Sequence, residues 1–316
     1  MKNTVKALML ICLLWLSPAQ AQNTELHIAA RQGDIGKITA LLAAGADTEA
    51  RDKHDFTALH LAAGLGHAQA ITALLAAGAN TEARNQDNLT ALHIAAISGN
   101  TAAINALLEA GANTEARSEN DYTALHLAAD EGNIGAINAL LEAGADTEAR
   151  NDNNFTALHI AAEQGHVQAI TALIEGGADI EARDEDYTAL HIAAIRGHTI
   201  AITALLAAGA DTEARGVYDS TALHIAALYG QTEAITALLD AGADIEARSE
   251  NDYTALHFAA DEGNIGAINA LLDAGAGASA KRKTKSGQTA FNLLHRHMID
   301  LIGTPIWERL KEARYE

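Results

Sequence analysis

Cysteine, proline and aromatic residues are scarce in these 316 residues, which hold one Cys, two Pro and 4% Phe, Trp and Tyr. The lone Cys12 can close no internal disulfide. With 49% hydrophobic residues but few rings, the core has to be built from Ala, Leu and Ile, and small residues permit close helix packing. Basic charge is also short, since 21 Lys and Arg face 41 Asp and Glu for a formal net charge of -20. Such a surface repels phosphate, which disfavours nucleic acid; it suits a basic partner or simply keeps an alanine-rich body soluble. Serines are few, and no glycine-rich phosphate loop or HExxH word occurs, so nothing points to an enzyme or a cofactor.

What the chain has in abundance is repetition. The word Thr-Ala-Leu-His begins at Thr57, Thr90, Thr123, Thr156, Thr188, Thr221 and Thr254, at steps of 33 residues with one of 32. A constant period in this range signals stacked supersecondary units forming one elongated cooperative body. Within one unit, Thr57 is a good N-cap, and Leu59, Ala62 and Ala63 form one apolar stripe of a short helix ended by Gly66. Ile71, Leu74 and Leu75 repeat the spacing on a second helix, closed at Gly78. The polar stretch that follows, rich in Asn and Asp, predicts a turned finger projecting toward the next hairpin.

Thr-x-Leu-His-x-Ala, the Gly-His and Leu-Leu pairs and Gly-Ala-Asp together resemble the ankyrin repeat over about residues 24–290. The resemblance implies an all-α solenoid of stacked helix-turn-helix units with projecting β-turn fingers. Two departures stand out. The family's Pro is Ala at Ala58, Ala91, Ala124, Ala157, Ala189, Ala222 and Ala255, which keeps a strong helix former. The family's finger Gly is Asp55, Asn88, Asp121, Asn154, Asp186, Asp219 or Asp252, the residue types that best tolerate a left-handed backbone after Gly.

Both ends depart from the repeat. In residues 1–21, Lys2 and Lys6 precede an apolar run from Ala7 to Leu16, and Ala19-Gln20-Ala21 supplies a signal-peptidase site, so cleavage is expected after Ala21. The apolar run is too short for the roughly 20 residues of a membrane span, and Cys12 sits wrongly for a lipoprotein. The bacterial look of this segment points to a periplasmic or secreted protein with no membrane insertion after cleavage. Residues 22–56 read as an N-terminal capping repeat, with Ile38, Leu41 and Leu42 on its second helix, and residues 57–280 as seven repeats. Residues 281–316 read as a basic insertion (Lys281, Arg282, Lys283, Lys285), a degenerate repeat restarting at Thr289, and a final helix from Pro305 whose Ile306, Trp307 and Leu310 cover the core's end. Ser118–Ala145 and Ser249–Ala276 differ only at Leu127 against Phe258 and Glu142 against Asp273, which indicates recent block duplication. The informative positions are therefore the few that break the pattern.

His27, His60, His93, His126, His159, His191, His224 and His257 form a column. Hairpins packed roughly 8 to 10 Å apart cannot bring two of these nitrogens onto one zinc at about 2.0 to 2.1 Å. The plainer reading is a hydrogen bond between finger and helix that locks adjacent repeats, and no metal is expected there or at His295 and His297. The Asp- and Asn-rich fingers lack a calcium loop's closing Glu, and turn chemistry accounts for them. The Glu-x-Arg words are expected to form exposed ladders between repeats, each pair contributing about 0 to 1 kcal/mol.

Proteins like this one read partners with the finger tips and the exposed end of the first helix. At those positions Leu65 and Ile97 make a small apolar area, while Ile195, Arg196, Leu228 and Tyr229 make a second beside a finger carrying Val217 and Tyr218. The finger aromatics, among them Tyr187, either pack on the next finger or add to this surface. The function expected is a non-enzymatic scaffold, monomeric, that binds a protein through its concave face, as an inhibitor or immunity protein among other uses. The alternative is a structural or stress-protective envelope component that binds weakly and broadly.

Overall fold

The computed structural model describes residues 24–297 and 304–313, and the expected signal segment with Cys12 lies outside them, as do the side chains of His295 and His297. Among the described residues every regular element is helical, apart from one bridge between Arg183 and Thr188. The contacts divide the chain into two compact units, residues 1–157 and 158–316.

The first unit contains four helical hairpins: α1 (Glu25–Gln32) with α2 (Ile35–Ala43), α3 (Ala58–Gly64) with α4 (Ala68–Ala76), α5 (Ala91–Ser98) with α6 (Thr101–Glu109), and α7 (Ala124–Glu131) with α8 (Ile134–Glu142). Hairpins of the second unit are α9 (Ala157–Gln164) with α10 (Val167–Glu175), α11 (Ala189–Arg196) with α12 (Thr199–Ala207), α13 (Ala222–Leu228) with α14 (Thr232–Asp240), and α15 (Ala255–Asp261) with α16 (Ile265–Asp273). It closes with α17 (Gly277–Lys281), α18 (Ala290–His297) and α19 (Pro305–Ala313). Within each unit the first helix of a hairpin packs on first helices and the second on second helices, as in α3 on α5 and α4 on α6.

The first helix starts where Thr57, in extended backbone (φ -89, ψ 169), hands over to Ala58. Every residue of α3 is buried, so Leu61 joins the predicted stripe and the helix is enclosed all round. In α4 the buried set is Ala70, Ile71 and Leu74, while Leu75 is only half-buried. Ala70, and not the predicted Leu75, joins Ile71 and Leu74 on the enclosed face. Ile71 and Leu74 are fully enclosed, so truncating either to Ala should cost about 2 to 5 kcal/mol. In the capping repeat Ile38 is buried, but Leu41 and Leu42 are half-buried.

Gly66 closes α3 at φ 77, and a Cβ there would lie 2.8 Å from Oδ1 of Asn100. Only Gly satisfies both the left-handed turn and this approach. The approach itself is functional: Asn100 Nδ2 donates to the Gly64 carbonyl at 2.9 Å, satisfying a helix-end acceptor of the preceding repeat. Asn133 donates likewise to Ile97, His198 to Glu163, Gln231 to Ile195 and Asn264 to Leu228, at 2.8 to 3.1 Å.

At the C-terminal end the residues read as a basic insertion lead into a finger whose approach is two residues longer, since Gly275 to Thr284 replaces the Gly242 to Ser249 spacing, and His257 Nε2 lies 3.1 Å from the Arg282 carbonyl of that approach. The extra length is taken up by the single turn of α17. Gly287 occupies the left-handed position at φ 80, and Arg282 pairs with Glu246 at 2.7 Å. Asn292 replaces the column histidine, accepting from Thr289 N–H at 3.2 Å and from its hydroxyl at 2.8 Å. Ile306, Trp307 and Leu310 of α19 are buried, with the Trp307 ring 4.5 Å from that of Phe291.

Candidate functional site

An ordinary finger is a five-residue loop held from within. In residues 85–89, Asn85 N–H donates to the Leu89 carbonyl at 3.1 Å, and Asn85 Oδ1 accepts from Asp87 and Leu89 N–H at 3.1 and 2.8 Å. Asp52 and Asn151 do the same for their fingers, which is the turn chemistry expected in place of calcium. Asp55, Asn88, Asp121, Asn154, Asp219 and Asp252 stand at φ 56 to 61. Asp186 does not join them. Its finger is one residue short, so Asp184 N–H bonds to Tyr187 O at 3.0 Å across a four-residue turn that needs no left-handed residue.

The column histidines lock finger to helix. His60 Nε2 lies 3.1 Å from the Leu89 carbonyl while its Nδ1 accepts the Thr57 N–H at 3.0 Å. His93, His126, His191 and His224 repeat this with Tyr122, Phe155, Ser220 and Tyr253. Burial is the leading cause that pushes each of these four, and His60, down to a pKa of about 4. The finger aromatics Phe56, Tyr122, Tyr187 and Tyr253 lean on the histidine of their own repeat, with ring centroids 5.6 to 5.8 Å apart.

The Glu-x-Arg words do join repeats, but through backbone groups. Glu49 Oε1 accepts from Asn80 N–H at 2.9 Å, and Glu82 from Asn113 N–H at 2.9 Å. Arg51 and Arg84 donate to the carbonyls of Asp55 and Asn88 within their own fingers at 3.0 Å, and to Arg84 and Arg117 of the next. Charge-assisted bonds to backbone carry most of this ladder, beside side-chain pairs such as Glu213 with Arg215 at 3.9 Å.

One finger keeps the closing bond, from Gly216 N–H to Ser220 O at 2.8 Å, but departs from the pattern within the loop. Its first position is Gly216, which has no side chain to cap the turn, and a Cβ there would come 2.8 Å from Cδ1 of Tyr187. Val217–Asp219 forms a 3-10 turn in which both Tyr218 (φ 55) and Asp219 (φ 61) are left-handed. An aromatic residue in that conformation is strained and is a pointer to function. Tyr218 is also 69% exposed, and Tyr229, at the end of α13, is 55% exposed. Tyr187 is half-buried, and burial first, then Tyr229, Asp186, Asp184 and Tyr218, raise its phenol pKa. Three tyrosines are thus gathered around one distorted turn.

The remaining sites expected from the sequence fall differently. Ile195, Leu228 and Val217 are half-buried beside this turn's repeats, and the carbonyls of Ile195 and Leu228 are tied into the clamps of α14 and α16. Arg196 is exposed, and its Nη2 is engaged at 2.6 Å with Glu163 of the preceding repeat. Ile97 packs against the core cluster of Phe56, Leu61, Leu89 and Ile94, and Leu65 is half-buried. Ile97 is thereby part of the packing of its own unit.

Two features went unread in the sequence. A groove of about 590 Å³ is lined by Tyr218, Tyr253, Phe258, Asp261, Lys285 and Ser286 among others, crossing three successive fingers. Its signal was Phe258, which stands where the twin block has Leu127. Ile200 on α12 is 73% exposed, at a place held by Gln69, Ala102, Gly135, Gln168, Glu233 or Gly266 elsewhere.

Sequence models of ankyrin repeats match in overlapping segments from residue 2 to residue 284. The chain belongs to the ankyrin-repeat family. No curated protein matches it. Among solved structures it is similar to the ankyrin repeat domain of human ASB11, with 28% identity and a TM-score of 0.61 over 70% of this chain and 96% of that one. Ankyrin repeats are protein-binding scaffolds, and no helix among the described residues is long and apolar enough to cross a membrane.

Proposed function

We propose that this ankyrin chain is a secreted, non-enzymatic scaffold that recognises a protein partner through the finger and first-helix face of its second unit. The observation that carries the reading is Tyr218, an exposed aromatic side chain on a strained backbone beside Tyr187 and Tyr229. Such a surface is preorganised by the finger bonds, so binding loses little to ordering, and tyrosine is enriched among residues that dominate interfaces. The composition of residues 1–21 supports export to the periplasm or beyond, and the net charge of -20 supports a basic partner. A monomer that masks a basic toxin or enzyme, as an inhibitor or immunity protein, fits these features together.

Affinity capture from envelope extract tests the reading, using the whole chain beside a Tyr218→Asn, Tyr229→Ser double variant. One dominant protein that is lost with the variant supports it. A protein retained equally by both samples removes the tyrosine face from the function, and weak recovery of many proteins favours a structural envelope role.

A further inference from the structure

The partner's chemistry can be narrowed, on the footing of the binding face just proposed. Tyr218 belongs to two adjoining features. On one side stand Tyr187 and Tyr229, with Tyr187 seated against Gly216. On the other lies the groove floored by Tyr253 and Phe258, whose ring centroids are 5.2 Å apart. Backbone bonds from Glu250 N–H to Tyr218 O at 2.8 Å, and from Lys285 N–H to Asn251 O at 3.1 Å, tie the three fingers into one rim.

The two features differ in charge. Asp184, Glu185 and Asp186 run directly into Tyr187, and Asp219 follows Tyr218. The arginines at this end are engaged chiefly with carbonyls of the fingers and with Glu163. Arg183 donates to the Asp186 and Arg215 carbonyls, Arg215 to the Asp219 carbonyl at 3.0 Å and the Arg248 carbonyl at 2.8 Å, and Arg196 is engaged by Glu163. Arg215 also lies 4.0 Å from the Asp219 carboxylate and 3.9 Å from that of Glu213, so Asp219 is partly compensated and the acidic excess rests on the run Asp184, Glu185 and Asp186 beside Tyr187. An incoming carboxylate would meet like charge here, and an incoming alkyl group would desolvate phenol hydroxyls and carboxylates without replacing their bonds. A guanidinium or ammonium instead meets the negative faces of rings and nearby carboxylates together. In the groove the floor is aromatic and its one acid, Asp261, is balanced by Lys285. Its volume of about 590 Å³ lies within the usual range for sites that enclose a ligand, about 300 to 1,000 Å³.

We propose that this face binds an extended segment of a partner protein that places an Arg or Lys side chain among Tyr187, Tyr218 and Tyr229 and an aromatic side chain in the groove on Tyr253 and Phe258. Tyr218 separates the two subsites and contacts both side chains. The segment is extended because the subsites lie on successive fingers of one rim, so its length follows the stacking direction.

Fluorescence anisotropy on the full chain tests this with labelled short peptides carrying one Arg and one Trp separated by Gly/Ser spacers of graded length. Matched peptides replace Arg by citrulline or Glu, or Trp by Ala. The best spacer should bind about tenfold more tightly than its citrulline form, the size of a desolvated cation–π contact, and its affinity should fall with salt. Tyr218→Asn should weaken it about tenfold. Phe258→Leu, which installs the residue of the folded twin block, should weaken the Trp peptide and leave the Trp→Ala peptide within twofold. Tyr122→Ala, on the matching finger of the first unit, should change nothing.

Equal binding of Arg and citrulline peptides, tighter binding of the Glu form, or no binding by any spacer overturns the inference. Peptides that still need Tyr218 but not the cation leave the binding face standing and remove only its cationic subsite. A captured partner indifferent to Tyr218 and Tyr229 removes the face itself.

Discussion

Thr57 and His60 meet at one nitrogen, His60 Nδ1, to which the Thr57 N–H donates at 3.0 Å and from which the threonine hydroxyl lies 2.8 Å. A nitrogen that accepts a backbone N–H carries no proton, so the ring's hydrogen sits on Nε2 and is donated to the Leu89 carbonyl. The fold therefore requires neutral imidazole. Protonating Nδ1 would set two donors against each other at the start of a helix and leave one of them buried without an acceptor.

Acid should unfold the protein through this column. The folded pKa of His60, His93, His126, His191 and His224 is about 4, against 6.5 for an unperturbed ring. Between those values the unfolded chain binds the protons, so stability is fully present above pH 6.5 and is lost as pH falls toward 4. Each histidine contributes roughly 1.4 kcal/mol per pH unit across that window. Urea midpoints measured from pH 7.5 to 4.5 should be flat at first and then drop steeply, and a flat profile throughout would contradict the neutral-imidazole lock.

Asn292 does for Thr289 what the histidines do elsewhere. His93→Asn should therefore keep the helix cap at Thr90 and lose only the bond to the Tyr122 carbonyl, at a cost of about 1 kcal/mol. His93→Ala loses both and opens a cavity, with about 3 kcal/mol expected. Denaturant midpoints of the two variants should rank in that order, and equal losses would mean that the inter-repeat bond dominates.

Removing the Tyr218 side chain should stabilise the molecule. Tyr218 sits at φ 55, a conformation costing a bulky residue about 1 to 3 kcal/mol that Asn or Gly largely avoids. Tyr218→Asn and Tyr218→Gly are both expected to raise the melting temperature while weakening partner binding. A lower melting temperature for both would show that the ring supports the finger instead of burdening it.

The final helix should be held by packing more than by charge. Arg309 reaches Asn269 Oδ1 at 2.8 Å and also Asp273, but the Asp273 side chain is 69% exposed. Such a pair is worth about 0 to 1 kcal/mol, whereas losing the buried Trp307 ring should cost about 3 kcal/mol or more. Hydrogen exchange in α18 and α19 should accelerate strongly in Trp307→Ala and barely in Arg309→Ala.

The fold was readable in the sequence because each repeat restates the same local instructions. Thr at the cap, Gly at the left-handed turn and apolar residues at helical spacing agree with one another. The left-handed Asp and Asn positions were readable too, apart from Asp186, whose finger lost the residue that made the conformation necessary. The binding face was only half readable. Tyr218 and Tyr229 broke the repeat pattern and were found by that break. The groove escaped because Tyr218, Phe258 and Lys285 come from different repeats, and no single repeat shows that they line one surface. The ion pair of Arg196 was hidden for a similar reason: its partner Glu163 occupies nearly the same place one repeat earlier, a relation seen only when neighbouring copies are compared for charge.

The shortened finger shows how the molecule can change. With one residue gone, Asp184–Tyr187 still turns, Arg183 still donates to the Asp186 carbonyl at 3.2 Å, and His159 still reaches the Tyr187 carbonyl at 3.2 Å. The fault is absorbed within the loop and does not pass into the helices on either side. A finger can therefore gain, lose or exchange residues without re-indexing the hairpins it joins. Copying errors in this gene fall into two grades, those in the helices that injure the whole protein and those at the tips that merely redraw what it recognises.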